Sequence, residues 1–308
     1  MGRSTMKELL VKRHTGNKSK VTVIITVHNY EDYIIQCLNS VFQQTINHID
    51  LIVYDDCSSD NSTIYIKQWV EENASRFENI LVARHRENKG LSTTRNECFE
   101  LATTPYVFVL DADNTIYPRC LELLKSAIDK TDADFAYSYA RIHNGKKSLL
   151  NIYPWNPQLL FKENYIDAMV MLKKSTWSNV GGYSIMENLG WEDYDLWLKI
   201  HEYGGWATLV PEILCEYRVH TKSMISTNTG YNTDRLWQII RSQHRRFFSK
   251  YEKNHQGTKN SAWYQTQIDI LTHSSKLLEQ RIKSTTSHPL FQKWQKYCEW
   301  KRKILAGE

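Results

Sequence analysis

Four apolar runs punctuate the first part of the chain: Val21–Val27, Asp50–Asp56, Asn79–Arg84 and Tyr106–Asp113. Each is short and dense in β-branched and aromatic residues, the composition of a strand buried on both faces. Between them lie stretches of helical period. Tyr33, Ile34, Cys37, Leu38 and Val41 make one apolar stripe, and further helices are expected from about Asn61 to Glu72, across LSTTRNECFELA, and across PRCLELLKSAID, which Pro118 opens. DFAYSYA, from Asp134 to Ala140, reads as a fifth strand. This alternation predicts an α/β fold with a mostly parallel, doubly wound sheet and helices on both faces.

After about residue 140 the pattern loosens. It predicts a strand around Ala168–Leu172, a turn at Gly181–Gly182, a helix over Glu192–Glu202, and short strands at Trp206–Val210 and Ile213–Val219. From Thr227 onward helical periodicity takes over, first through Leu236, Ile239, Ile240, Gln243 and Phe247, then through Ile268, Leu271, Leu278 and Ile282. Pro289–Leu305 sets Leu290, Trp294, Tyr297 and Ile304 on one face and lysines on another. The expected organisation is a basic leader over 1–20, a domain over 21–226 in two halves that meet at 140, and a C-terminal helical extension over 227–308. The extension fits packing on the domain or on a second copy (a homo-oligomer) better than peripheral contact with an anionic membrane, because basic helical faces are usually just solvated.

Composition narrows the class. At 308 residues, 41% apolar and 24% charged, the chain can fill a large core. A net charge of +5 suits phosphate-bearing ligands or an anionic surface, and no nucleic-acid signature accompanies it in the first 220 residues. Cys37, Cys57, Cys98, Cys120, Cys215 and Cys298 are scattered without zinc or disulfide spacing, as in a reducing compartment. The first residues lack the apolar core of a signal peptide, and no run is long enough to span a bilayer. A cytoplasmic protein is expected, attached at most to the inner membrane face.

GxGxxG, GxxxxGK[ST], GxSxG and HExxH are absent, which argues against the enzyme classes they mark. What stands out instead is VFVLDADN, Val107 to Asn114. Asp111 and Asp113 are two apart at a strand end, so they face one side and can converge on a ligand. A hard divalent cation that keeps several waters, its shell completed by diphosphate oxygens, suits such a pair. A turn with a helix cap would account for one of these acids but not both. Asp55-Asp56 ends another strand, beside the capping candidates Ser58, Ser59 and Asp60.

VTVIITVHNYEDYIIQCLNSVFQQT, LIVYDDCSSDNS, ENKGLSTTRN and VFVLDADN, in that order and spacing, resemble the nucleotide-binding half of family 2 glycosyltransferases, which have the GT-A fold. The likeness runs over roughly Val21–Val219. It implies a nucleotide-sugar site made by Thr26, His28, Asn29, Asp56, Arg95, Asp111 and Ala112. Thr26 and His28 would lie against base and ribose (the family often has Tyr at His28), and Asp56 would accept the imino hydrogen of a uracil-like base. Arg95 would meet base or diphosphate. Mn2+ or Mg2+ would be held by Asp113 and Asp111, and His220, in EYRVHTKSMIS, would reach that metal or the diphosphate beside the phosphate clamps Arg218 and Lys222. A lone histidine is as readily structural.

GWEDYDLWLKI, Gly190 to Ile200, resembles the family's second motif. Asp193 would be the general base toward an acceptor hydroxyl, with Glu192 and Trp191 binding the acceptor and Asp195 turned away. The other reading of these acids is stabilisation by the helix dipole. One base and a metal-held leaving group imply single displacement with inversion. The resulting expectation is an inverting, metal-dependent hexosyl- or N-acetylhexosaminyl-transferase. It would use a UDP-sugar donor and a glycan, glycoprotein or lipid-linked acceptor in bacterial cell-surface glycan assembly or protein glycosylation. A nucleotidyltransferase would need a Gly-rich basic loop where this chain has VHNYEDY, and a non-catalytic glycan-binding relative would have lost one of the two acidic motifs.

Overall fold

The computed structural model describes residues 7–143, 148–186, 189–220, 223 and 229–256. Four parallel strands form its centre: β2 (Val21–Val27), β3 (Ile49–Asp55), β4 (Asn79–His85) and β5 (Tyr106–Asp111). Their side chains alternate between two cores, as the period of two requires. Val21, Val23, Ile25 and Val27 of β2, with Leu51 and Val53 of β3, face α1 (Ile34–Phe42), α2 (Ser62–Asn73) and α4 (Cys120–Thr131). Ile24, Ile52, Tyr54, Val107 and Val109 face the other way, toward α3 (Leu91–Leu101) and α7 (Glu192–Glu202). The doubly wound GT-A architecture is therefore present.

The full sheet runs β1 (Lys7–His14), β4, β3, β2, β5, β9 (Met171–Lys173), β7 (Phe135–His143), β10 (Ala207–Arg218), β6 (Thr115–Ile116), with β8 (Leu149–Leu150) on β7. The expected strand near Ala168–Leu172 is β9 (Met171–Lys173), antiparallel to both β5 and β7. The two short strands expected after residue 205 are one, β10 (Ala207–Arg218), parallel to β7 with its register broken between Val210 and Ile213. Pro211 falls in that break and has no N–H to give the ladder. β6 (Thr115–Ile116) pairs antiparallel with the far end of β10. Short helices α5 (Pro157–Leu160) and α6 (Lys174–Asn179) flank β9.

Two boundaries differ from expectation. The basic leader contributes a strand, β1 (Lys7–His14), antiparallel to β4 with a bulge between Leu9 and Val11. Leu10 and Val11 pack on the core while Leu9 is 56% exposed, so the strand's polar residues, typical of a sheet edge, hid its pattern. At the other end the compact body continues past Thr227 to Tyr251. Leu236 and Ile240 of α8 (Thr233–Gln243) and Phe247, Phe248 and Tyr251 of α9 (Arg245–Gln256) are buried in the same core as α7. The periodic stretches at Ile268–Ile282 and Pro289–Leu305, and Lys222, lie outside the described residues. Among those described, no helix is long and apolar enough to cross a membrane.

Candidate functional site

The chain winds outward from β2 to β3 and β4, then returns to add β5 on the other side of β2. The C-terminal ends of β2 and β5 mark the switch point, where open α/β sheets bind ligands. Thr26 and Asp111 are register partners at that rim, and Thr26 is 8% exposed.

On the β3 side, Asp55 is an anchor. It accepts from the Ser58 N–H at 2.8 Å and from the Thr63 hydroxyl, and it pairs with Arg84 at 3.5 Å. Asp56 faces the loop before α3 and accepts from the backbone N–H groups of Lys89 and Gly90, each at 2.8 Å. Gly90 has φ of 85°, a left-handed conformation open to glycine that lets its amide reach the carboxylate. Burial would raise the Asp56 pKa, but His85 and the two amides overturn that and lower it. His28 stands exposed above, its Nδ1 2.8 Å from the Asp56 carbonyl oxygen, with Asn88 3.3 Å away. Asn29, at φ of 61°, accepts the Ser59 N–H at 2.8 Å. Ala112 is fully buried between the two acids of the β5 tip.

At that tip Asp111 and Asp113 take different partners. Asp111 Oδ1 accepts from Arg95 Nη2 at 2.5 Å. Asp113 Oδ2 lies 2.9 Å from His220 Nε2, and burial followed by the Asp111 charge raises its pKa against the pull of His220. The end of β10 fastens this corner, since Arg218 donates to the Asp113 carbonyl at 2.9 Å and to Gln36 at 2.8 Å while lying 4.8 Å over the Tyr33 ring. Tyr33 packs against His220 with ring centroids 4.9 Å apart. Among the described residues no three His, Cys, Asp or Glu side chains form a closed metal site. The Asp113–His220 pair with Asp111 nearby nonetheless has the oxygen and nitrogen donors that suit Mn2+ or Mg2+, provided phosphate oxygens and water complete the shell.

Arg95 joins the two acidic motifs. Its side chain is 2% exposed and bridges Asp111 with Nη2 and Glu192 with Nη1, both at 2.5 Å. Burial alone would lower its pKa, but these two carboxylates raise it well above the usual value. Arg95, expected at base or diphosphate, and Glu192, expected at the acceptor, are thus paired with each other across the cleft.

Trp191 precedes α7 in the left-handed region at φ of 62°, an unusual conformation for a bulky residue and one that recurs at functional sites. Its ring meets Trp237 of α8 edge-on at 5.1 Å. Asp193, one residue into the helix, is half-buried and accepts from Asn164 Nδ2 at 3.1 Å. Burial, then the Glu192 charge, pushes its carboxyl up to about 7, with Arg95 opposing. Asp195 is fully buried and pairs with Lys199 and His244, as its turn away from Asp193 implies.

Asp167, Asn164 and Tyr183 escaped the sequence reading, since their only signal was position, in or beside elements near the β5 tip. Asp167 is raised to about 8 by burial and then by Asp111. Arg95 Nε, Asn164 Oδ1 and the Tyr183 hydroxyl are buried with no partner among the described residues.

Comparisons with known proteins agree with this fold. The family "Glycosyl transferase family 2" matches residues 22–188. EpsH of Bacillus subtilis (strain 168), classed as a glycosyltransferase, is 26% identical over 295 residues, 89% of this chain and 80% of its own. The UDP-Glc:alpha-D-GlcNAc-diphosphoundecaprenol beta-1,3-glucosyltransferase WfgD of Escherichia coli is 26% identical over 226 residues, 71% of this chain and 85% of its own. Among solved structures, S. aureus TarS 1–349 in complex with UDP-GlcNAc matches with a TM-score of 0.62 at 17% identity, over 77% of this chain and 72% of that one. The match covers more than half the chain, and Arg95 joins Asp111 of one acidic motif to Glu192 of the other: the protein belongs to glycosyl transferase family 2 and is a glycosyltransferase.

Proposed function

We propose that this enzyme transfers a sugar, with inversion, from a UDP-sugar to a hydroxyl of a glycan or lipid-linked acceptor during cell-surface glycan assembly. The observation that carries the reading is Asp193: a half-buried carboxyl raised to about 7 beside Glu192, which Arg95 joins to Asp111 at the β5 tip. A base is most effective when its pKa lies near the working pH.

On this reading Asp56 keeps one acceptor site for the nucleobase. An ionised carboxylate has about four, and His85, Lys89 and Gly90 take three. Asp113 and His220, with Asp111, would hold Mn2+ or Mg2+, because carboxylates repel a diphosphate unless a cation lies between. That cation supplies positive charge against the departing diphosphate. Asp193 takes the acceptor proton as the acceptor oxygen attacks the anomeric carbon from the face opposite the nucleotide. Inversion follows from that single displacement.

The acceptor class draws on WfgD, whose name gives a UDP-sugar and a lipid diphosphate, and the donor on TarS, solved with UDP-GlcNAc. A cytoplasmic setting fits the free thiols of Cys37, Cys57, Cys98, Cys120 and Cys215. Screening nucleotide sugars for slow hydrolysis, with and without manganese, tests the proposal. Manganese-dependent hydrolysis of one or two UDP-sugars supports it; hydrolysis only of another nucleotide's sugars, or hydrolysis indifferent to metal, rejects it.

A further inference from the structure

His85 ends β4 and sits directly behind Asp56, with 2% of its surface exposed. Its Nδ1 lies 2.8 Å from Asp56 Oδ1 and its Nε2 lies 3.2 Å from Glu97 Oε1. A neutral imidazole has one N–H and one lone pair, so it can donate to only one of these carboxylates and must turn a lone pair on the other. Only the imidazolium donates to both. The surroundings reinforce that state. Tyr54 packs its ring on His85 with centroids 4.4 Å apart and gives its hydroxyl to Glu97 at 2.5 Å, so Glu97 is fixed as an acceptor. Arg84 faces away to Asp55 and to the Ser58 carbonyl, and across the β1–β4 pair the register partner of His85 is Lys7.

We infer that His85, held as an imidazolium, is a positioning residue for nucleobase recognition: it fixes Asp56 as an ionised acceptor with its open lone pair turned toward the base. The inference rests on the proposed reading of Asp56 as the base contact and goes beyond it. It adds that recognition depends on a buried positive charge contributed by β4. The consequence is selectivity by hydrogen-bond polarity. A base that presents a ring N–H, as uracil does, meets an acceptor. A base that presents a ring lone pair at that edge, as cytosine does, meets a second acceptor and is rejected.

The directions of titration agree. Burial would lower the His85 pKa, but the hydrogen bonds to Asp56 and Glu97 raise it, and His85 in turn lowers Asp56. The sign for Asp56 follows. A depressed carboxyl stays ionised as pH falls, so in the wild-type enzyme Asp56 remains an acceptor for the base as the solution is acidified. Without the imidazolium, Asp56 protonates at higher pH and base recognition fades as the solution is acidified.

The test titrates UDP, CDP and inorganic pyrophosphate, each with manganese, into full-length wild type, His85→Gln and His85→Leu at pH 5.5 and 7.5. Pyrophosphate has no base, so it reports the metal and phosphate contacts alone. The expected result is a UDP affinity loss of about tenfold or more in His85→Leu, the scale of one charge-assisted hydrogen bond, with pyrophosphate binding unchanged. The loss should be larger at pH 5.5 than at 7.5, the preference for UDP over CDP should shrink, and His85→Gln should fall between. Thermal melts of each variant confirm that it is folded. Equal losses for UDP and pyrophosphate would mean a structural role and overturn the inference, as would unchanged UDP binding in both variants. A wild type that binds pyrophosphate but not UDP would overturn the reading of Asp56 itself.

Discussion

Replacing Arg95 with methionine removes a side chain that bridges the two acidic motifs. Methionine keeps much of the volume, so the main effect is electrostatic. Asp111 and Glu192 each lose a bond of 2.5 Å to a side chain that is 2% exposed. Breaking a buried pair and stranding its partner costs about 3–5 kcal/mol. Here two carboxylates are stranded, but the Asp111 side chain is 27% exposed and can recover water, whereas that of Glu192 is 8% exposed and cannot. The lower part of the range, about 3 kcal/mol, is therefore expected, a large share of the roughly 5–15 kcal/mol that holds a domain together. For a body of this size, about 2–4 °C per kcal/mol gives a fall in Tm of roughly 6–12 °C. Differential scanning calorimetry of wild type, Arg95→Met and Arg95→Met with Glu192→Gln measures it. The double variant should melt above the single one, because neutralising Glu192 removes the charge left without a partner. A fall of less than about 2 °C, or a double variant no more stable than Arg95→Met, would refute the reasoning.

Other outcomes follow from the same geometry. With Asp193 raised to about 7, the carboxyl is protonated at lower pH and cannot accept a proton, so kcat should fall about tenfold per unit below about pH 7. A pH–rate profile flat down to pH 5 would contradict its role as base. His244 has Asp195 at 3.0 Å and Glu202 at 2.8 Å on its two ring nitrogens, which raise its pKa against burial. Its stabilisation is complete below about pH 6.5, the unfolded value, and is lost as pH rises through the folded one. The Tm difference between wild type and His244→Gln should therefore be largest in acid and shrink toward pH 9. Gly190 has φ of 97°, and a Cβ there would lie 2.5 Å from Thr229 Oγ1. Gly190→Ala should cost about 1–3 kcal/mol, seen as a lower urea midpoint.

The sheet was legible because buried parallel strands are nearly unbroken apolar runs, and the candidate acids Asp111 and Asp113 stand where one of those runs stops. Asp193 sits where any helix favours an acid, so only the resemblance of GWEDYDLWLKI to the family's second motif singled it out. β1 was not legible, since an edge strand carries its charges outward and its few apolar residues lie on either side of a bulge. The docking of α8 and α9 was hidden for a different reason: Leu236, Ile240 and Phe247 show a helical stripe but not what covers it. The pairings that define the site join distant positions. Arg95 meets Glu192 97 residues away, and His85 meets Asp56 29 residues away. A local pattern contains no information about such partners, so Arg95 looked free to meet a nucleotide and His85 like any polar residue at a strand end.

On the proposed reading, donor binding at the β5 tip and proton abstraction on α7 are separable functions of one site. The decisive measurement titrates UDP with manganese into Asp113→Asn and Asp193→Asn and follows sugar transfer by each. Asp113→Asn should lose manganese-dependent UDP binding. Asp193→Asn should bind UDP as the wild type does and lose transfer by about 10²–10⁴-fold. Equal loss of UDP binding in both variants, or transfer surviving in Asp193→Asn, would contradict it.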